Sequence, residues 1–104
     1  MERVAFVMRV KGGEEAEYAR RHEAVWPEML HALKVAGCTR YSIYRRGQDL
    51  FAYMEVDGFD RFRRLMAANE DAQRWEAHMA PIMERGIQPE TGFHEVLTEL
   101  FHLD

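Results

Sequence analysis

Two short apolar runs and the break between them restrict this chain more than any other feature. Thr39 to Tyr44 is β-branched and aromatic, and Leu50, Ala52, Met54 and Val56 alternate with Phe51, Tyr53 and Glu55. Only Arg46-Gly47-Gln48-Asp49 separates the two runs as a turn. Strands joined so closely pair as an antiparallel hairpin. Everything else must be arranged around that hairpin.

Upstream, Val4 to Val10 reads as a strand with apolar residues on both faces, and Lys11-Gly12-Gly13 ends it. Glu14, Glu15 and Glu17 then crowd the first turn of a helix, where acids favour the positive end of the dipole. Pro27 disfavours helical geometry in the residue before it and suits a first helical turn itself. One helix is therefore expected to run to about Trp26 and a second to start at Pro27. Met29, Leu30, Leu33 and Ala36 give the second an apolar face, and Gly37 closes it.

Beyond Asp57-Gly58, Phe59, Phe62, Leu65 and Met66 predict a helix, and Ala72, Trp75, Met79, Ile82 and Met83 predict a further one. Arg85 to Gly92 reads as a loop and Glu95 to Leu103 as a last strand. The order strand, helix, strand, strand, helix, strand is the split βαβ pattern of an α+β, ferredoxin-like sandwich. A length of 104 residues suits one domain over 1–104. Phe6 and Val7, Phe51 and Met54, and Leu97 and Leu100 point opposite ways in pairs, so the sheet face away from the helices is also apolar. A second copy of the chain is the natural cover, giving a two-fold dimeric α+β barrel. Phe101 and Leu103 in the last strand are candidates for crossing to that partner.

The net charge of −4 offers no basic field for nucleic acid or anionic membrane. The doublets Arg20-Arg21, Arg45-Arg46 and Arg63-Arg64 read as solvated faces. No run is apolar enough to span a bilayer and the first residues lack a signal-peptide layout, so a cytoplasmic location is expected. Cys38 is the single cysteine, expected as a small buried apolar residue. Phosphate-loop, nucleophile-elbow and paired metal-ligand motifs do not occur, and the only serine is Ser42, inside a strand. No metal or other cofactor is expected.

Candidate chemistry concentrates on Tyr18, His22 and Trp26, at i, i+4 and i+8. On one helix that spacing lines a single face. A face filled only for packing is more cheaply Leu, Ile or Val, whereas a phenol and an imidazole suit the border of a polar cavity. His22 titrates near neutral pH and can give or take a proton. A capped surface histidine remains the competing reading. Tyr41 on the second strand, sharing a face with Ile43 in regular pairing, and Trp75 on an apolar stripe both have core packing as the plainer role.

The string Tyr18-x-Arg20-Arg21-His22-x-x-x-Trp26-Pro27-Glu28 (with x for the residues between) is long enough to be specific. With Ala5-Phe6-Val7-Met8, Tyr41-Ser42-Ile43-Tyr44, Gln73-Arg74-Trp75, His78-Met79 and Leu100-Phe101-His102-Leu103, it resembles the L-rhamnose mutarotase family nearly end to end. The resemblance implies a dimeric ferredoxin-like protein that interconverts the α and β anomers of a 6-deoxy aldose. It implies His22 as the proton donor and Tyr18, Tyr41 and Trp75 as the residues that hold the sugar. Two departures bear on the sugar. Glu76 stands where the family usually has a second Trp, and Gly86-Ile87-Gln88-Pro89-Glu90-Thr91-Gly92 stands where the family loop usually reads like Asn-Pro-Asp-Asn-Ser-Pro. Glu76 either hydrogen-bonds a hydroxyl or faces water. The same topology also serves cofactor-free oxygenase-type barrels and non-catalytic sugar sensors, which remain the alternatives.

Overall fold

Val4, Phe6, Met8 and Val10 alternate along the first strand and are all buried on one side of it. That period of two places one face of the sheet against the helices. The computed structural model describes residues 1–104. Its elements are β1 (Glu2–Val10), α1 (Glu15–His22), α2 (Pro27–Val35), β2 (Cys38–Arg46), β3 (Asp49–Val56), α3 (Phe59–Ala68), α4 (Glu70–Met79), β4 (Met83–Arg85) and β5 (Glu95–Val96). The strands form one antiparallel sheet in the order β2-β3-β1-β4, with β5 on the same edge of β1 as β4. This is the expected α+β, split βαβ arrangement.

β3 and β1 are the central strands of the sheet, and β2 lies at its edge. β1 pairs with β3 from Glu2↔Val56 to Arg9↔Asp49, and β2 runs along the other side of β3. Phe6, Val10, Leu50, Met54 and Val56 are almost wholly excluded from water. Burying side chains of this size stabilises the fold by roughly 1.5–3 kcal/mol each relative to exposure. From the helices, Tyr18, Met29, Phe62, Ala72, Trp75 and Met79 close on the same core. Gly37 joins α2 to β2 with φ +90°, and a Cβ there would lie 3.1 Å from Asp57 Oδ2. Both the left-handed turn and the close approach require glycine. Cys38 is free and buried, as expected. No helix is long and apolar enough to cross a membrane.

Four expectations are corrected. The first helix stops at His22, and Trp26 is the residue before the first turn of α2, at φ −59° and ψ 137°. Pro27 pushes its predecessor out of helical geometry, so the break comes earlier than the i, i+8 spacing suggested. The α4 helix ends at Met79. Pro81 falls in a 3-10 turn over Ala80–Ile82, and Met83 opens β4. The last strand is only Glu95–Val96, extended by one further bond from Leu97 N–H to the Ala5 carbonyl. The following residues, Leu100, Phe101 and Leu103 among them, lie exposed without pairing. Arg21 is not a solvated residue. Its guanidinium donates to Glu17 at 2.6 Å and to the His78 carbonyl at 2.6 Å, tying α1 to α4.

Candidate functional site

Tyr18 and His22 sit one turn apart on α1 and face the sheet together. Their rings stack with centroids 4.1 Å apart at 21°. His22 Nδ1 lies 3.0 Å from the Tyr18 backbone carbonyl. A carbonyl only accepts, so Nδ1 carries the hydrogen and Nε2 is left as the basic nitrogen. Burial holds the His22 imidazole below its ordinary value, and the hydrogen bond to the carbonyl only partly offsets this. The ring is therefore neutral near pH 7.

Trp75 on α4 meets the edge of the His22 ring at 5.5 Å and 82°. Trp26 packs behind Trp75 at 5.1 Å and 86°. The third aromatic of the sequence string thus buttresses Trp75 from α2 instead of extending the α1 face.

Tyr41 reaches the same place through an irregularity. Thr39 pairs with Glu55 and Ser42 with Tyr53, so Arg40 and Tyr41 together oppose one residue of β3. Arg40 takes φ 48° in this bulge. Cys38 already points inward, so strict alternation from it would turn Tyr41 outward. The extra residue re-aims Tyr41 to the helix side, with Ile43 following. Burial pushes both phenols up, so both remain protonated hydrogen-bonding groups.

These side chains enclose a cavity of about 370 Å³ between helices and sheet, whose wall includes Tyr18, His22, Tyr41 and Trp75. Met8, Met29, Leu33 and Met79 make much of the remaining surface apolar. A small polyhydroxylated ring fits such a volume, with the aromatic faces against its C–H surfaces and few but well-placed polar groups. A second hollow of about 340 Å³ adjoins it, the two sharing Met29, Leu33, Tyr41, Glu76 and His94.

Glu76 and His94 are the site residues that sequence reasoning did not assign. Glu76 follows Trp75 on α4, lines both hollows and is held up in pKa by burial. The family departure at this position was the available signal. His94 stacks on Phe6 with centroids 4.9 Å apart at 8°. Burial pushes its imidazole down to about 4, and its Nδ1 is buried without a hydrogen-bond partner. Its sequence neighbourhood carried no such signal. His31 and His78 are exposed and line neither hollow. No group of three or more His, Cys, Asp or Glu side chains is placed to hold a metal ion.

The fold and site define a small α+β protein with a sheet-backed cavity lined by an imidazole, two phenols and an indole. The L-rhamnose mutarotase family model matches residues 3–103. The chain is 44% identical over 86 residues to the L-rhamnose mutarotase of Listeria monocytogenes serotype 4b, covering 81% of this chain and 82% of that one. It is 39% identical over 109 aligned positions to the L-rhamnose mutarotase of Bacillus subtilis, covering all of both. The crystal structure of L-rhamnose mutarotase from Formosa agariphila superposes with a TM-score of 0.83 at 33% identity, over 100% of each chain. The chain belongs to the L-rhamnose mutarotase family.

Proposed function

We propose that this protein is an isomerase that interconverts the α and β anomers of L-rhamnose through acid/base-catalysed ring opening and closure. The observation that carries the reading is His22, half-buried against Tyr18 with its basic nitrogen freed, in a cavity also lined by Tyr41 and Trp75. Family membership supplies the sugar.

Ring opening takes a proton from the anomeric hydroxyl, breaks the bond from C1 to the ring oxygen and places a proton on that oxygen. It moves protons only and changes no oxidation state. His22 Nε2 accepts the anomeric proton and returns it as the imidazolium after rotation about C1–C2. One such general acid/base contributes about a hundredfold to ten-thousandfold. Tyr18 and Tyr41 donate hydrogen bonds to hydroxyls, and the Trp75 indole packs against the ring. A single domain over 1–104 carries the site.

The working form in this reading is a homodimer. Val7, Phe51 and Tyr44 lie opposite one another in adjacent strands on the open sheet face, and Phe51 and Tyr44 are exposed. Leu100, Phe101 and Leu103 are exposed as well. A second sheet is the cover of matching shape. A cytoplasmic location accords with the one thiol, which stays unpaired.

Saturation-transfer NMR on L-rhamnose tests the activity. The protein accelerates anomer exchange above the buffer rate, and His22→Ala abolishes most of that acceleration. A His22→Ala variant exchanging at the wild-type rate removes His22 from the mechanism. Binding without acceleration makes the protein a sugar sensor.

A further inference from the structure

Anomer exchange has two proton positions, the anomeric oxygen and the ring oxygen, and His22 accounts for one. With Nδ1 fixed on the Tyr18 carbonyl, the neutral imidazole begins as an acceptor and has no proton to give at the cavity side. A donor for the ring oxygen must come from another side chain of the same cavity. The candidates are few.

Tyr18 and Tyr41 titrate far above neutrality and supply hydrogen bonds, not protons. His94 is shut between Phe6 and Phe93, with centroids at 4.9 and 5.0 Å, and stays neutral. Arg63, on the wall of the second hollow, holds Asp60 and covers the Phe59 ring. Glu76 remains. Its carboxyl is half-buried at the junction of the two hollows, with no cation and no hydrogen-bond donor engaging it. It sits near enough to Tyr18 and Tyr41 to disfavour ionisation of both. An unpaired carboxyl in such a place costs stability unless a ligand engages it.

We propose that Glu76 is the second catalytic residue, a carboxylic acid that protonates the ring oxygen while His22 removes the anomeric proton. This rests on the mutarotase reading. In opening, O1–H gives its proton to His22 Nε2, the C1–O5 electrons pass to O5, and O5 takes the Glu76 proton. In closure, O5 attacks the other face of C1, Glu76 carboxylate takes the O5 proton, and His22 imidazolium returns one to O1. Protons balance over the cycle. The environments also push the two groups in useful directions, the imidazole down and the carboxyl up, as an acid and base working together near neutral pH require.

The test uses anomer exchange of L-rhamnose by NMR between pH 5 and 9, with the full chain as wild type, Glu76→Gln, Glu76→Ala and His22→Ala. Glu76→Gln is nearly isosteric and should lower kcat about a hundredfold with KM changed less than threefold. Wild-type kcat falls as pH rises through the Glu76 titration, and that limb disappears in Glu76→Gln. Added acetic acid at pH 5, above its buffer-catalysed background, restores part of the Glu76→Ala rate and none of the His22→Ala rate, which a merely structural role would not produce. Wild-type kcat in Glu76→Gln, or a change in KM alone, overturns the assignment and leaves the mutarotase reading standing. A wild-type protein that fails to accelerate exchange overturns both.

Discussion

The His22 ring lies stacked on the Tyr18 ring at 4.1 Å while its Nδ1 donates to the Tyr18 carbonyl at 3.0 Å. One residue thus sets both the position and the tautomer of the other. The contact is local, since i and i+4 neighbours meet on any helix. Its consequence is chemical, because it decides which ring nitrogen is basic.

That arrangement predicts the acid side of the activity profile. Burial lowers the His22 value below the ordinary imidazole figure of about 6.5. The neutral form is the active base, so activity holds as pH falls to 6.5 and is lost only below it. A kcat/KM profile for L-rhamnose exchange should place its acid limb under 6.5. A limb at or above 7 contradicts the assignment.

Arg40 predicts a separation of backbone from side-chain effects. Its φ of 48° is strained for a residue with a Cβ, and worst for a β-branched one. Arg40→Val should lower unfolding stability by about 1–2 kcal/mol in urea titration, whereas Arg40→Gly should hold it or raise it slightly. The exposed Arg40–Glu55 pair is screened by solvent and does not reverse the order. Deleting Arg40 removes the extra residue, sets Tyr41 opposite Met54 in strict alternation and keeps it on the helix side, so exchange activity should fall less than tenfold.

His94 predicts sensitivity of the fold to acid. Its folded value of about 4 lies below the unfolded value of about 6.5. Between those values the unfolded chain binds more protons, so stability falls as pH drops from 6.5 towards 4 and is unaffected above 6.5. The loss is on the order of 2–3 kcal/mol. Thermal melting at pH 7 and pH 4.5 reads it directly. In His94→Phe the difference between the two melting temperatures should shrink. An undiminished difference would assign the acid lability elsewhere.

Arg21 predicts a coupling between helices. Its guanidinium joins Glu17 of α1 to the His78 carbonyl near the end of α4. Arg21→Ala should destabilise by about 1–2 kcal/mol through the lost charged hydrogen bonds. It should also lower kcat, because His22 and Trp75 then shift against each other. Arg20→Ala, on a side chain 69% exposed, should do neither.

The open sheet face predicts the assembly. Light scattering should give a dimer for the wild type. Phe51→Glu places a charge in the middle of the Val7–Phe51–Tyr44 row and should yield a monomer. A monomeric wild type removes the dimer from the reading.

Much of the fold was legible because its signals are local. The alternation of Leu50, Ala52, Met54 and Val56 and the Gly47-Gln48 turn fix the hairpin without reference to distant residues. The end of the chain was misread for the opposite reason. Leu97, Leu100, Phe101 and Leu103 have strand-like composition, but only Glu95–Val96 and the Leu97 amide find a partner on β1. A strand exists where a neighbour supplies hydrogen bonds, and composition cannot count neighbours.

The candidate site divides the same way. Tyr18 and His22 were legible as a pair because four residues make a helical turn. What the chain's own order determined is its periodicity, its breaks and therefore its split βαβ class. The tertiary structure alone decided that a bulge at Arg40 turns Tyr41 inward, that Trp26 supports Trp75, and that Glu76 and His94 line the same two hollows. Those outcomes depend on contacts between segments tens of residues apart, and no local preference encodes where two such segments will touch.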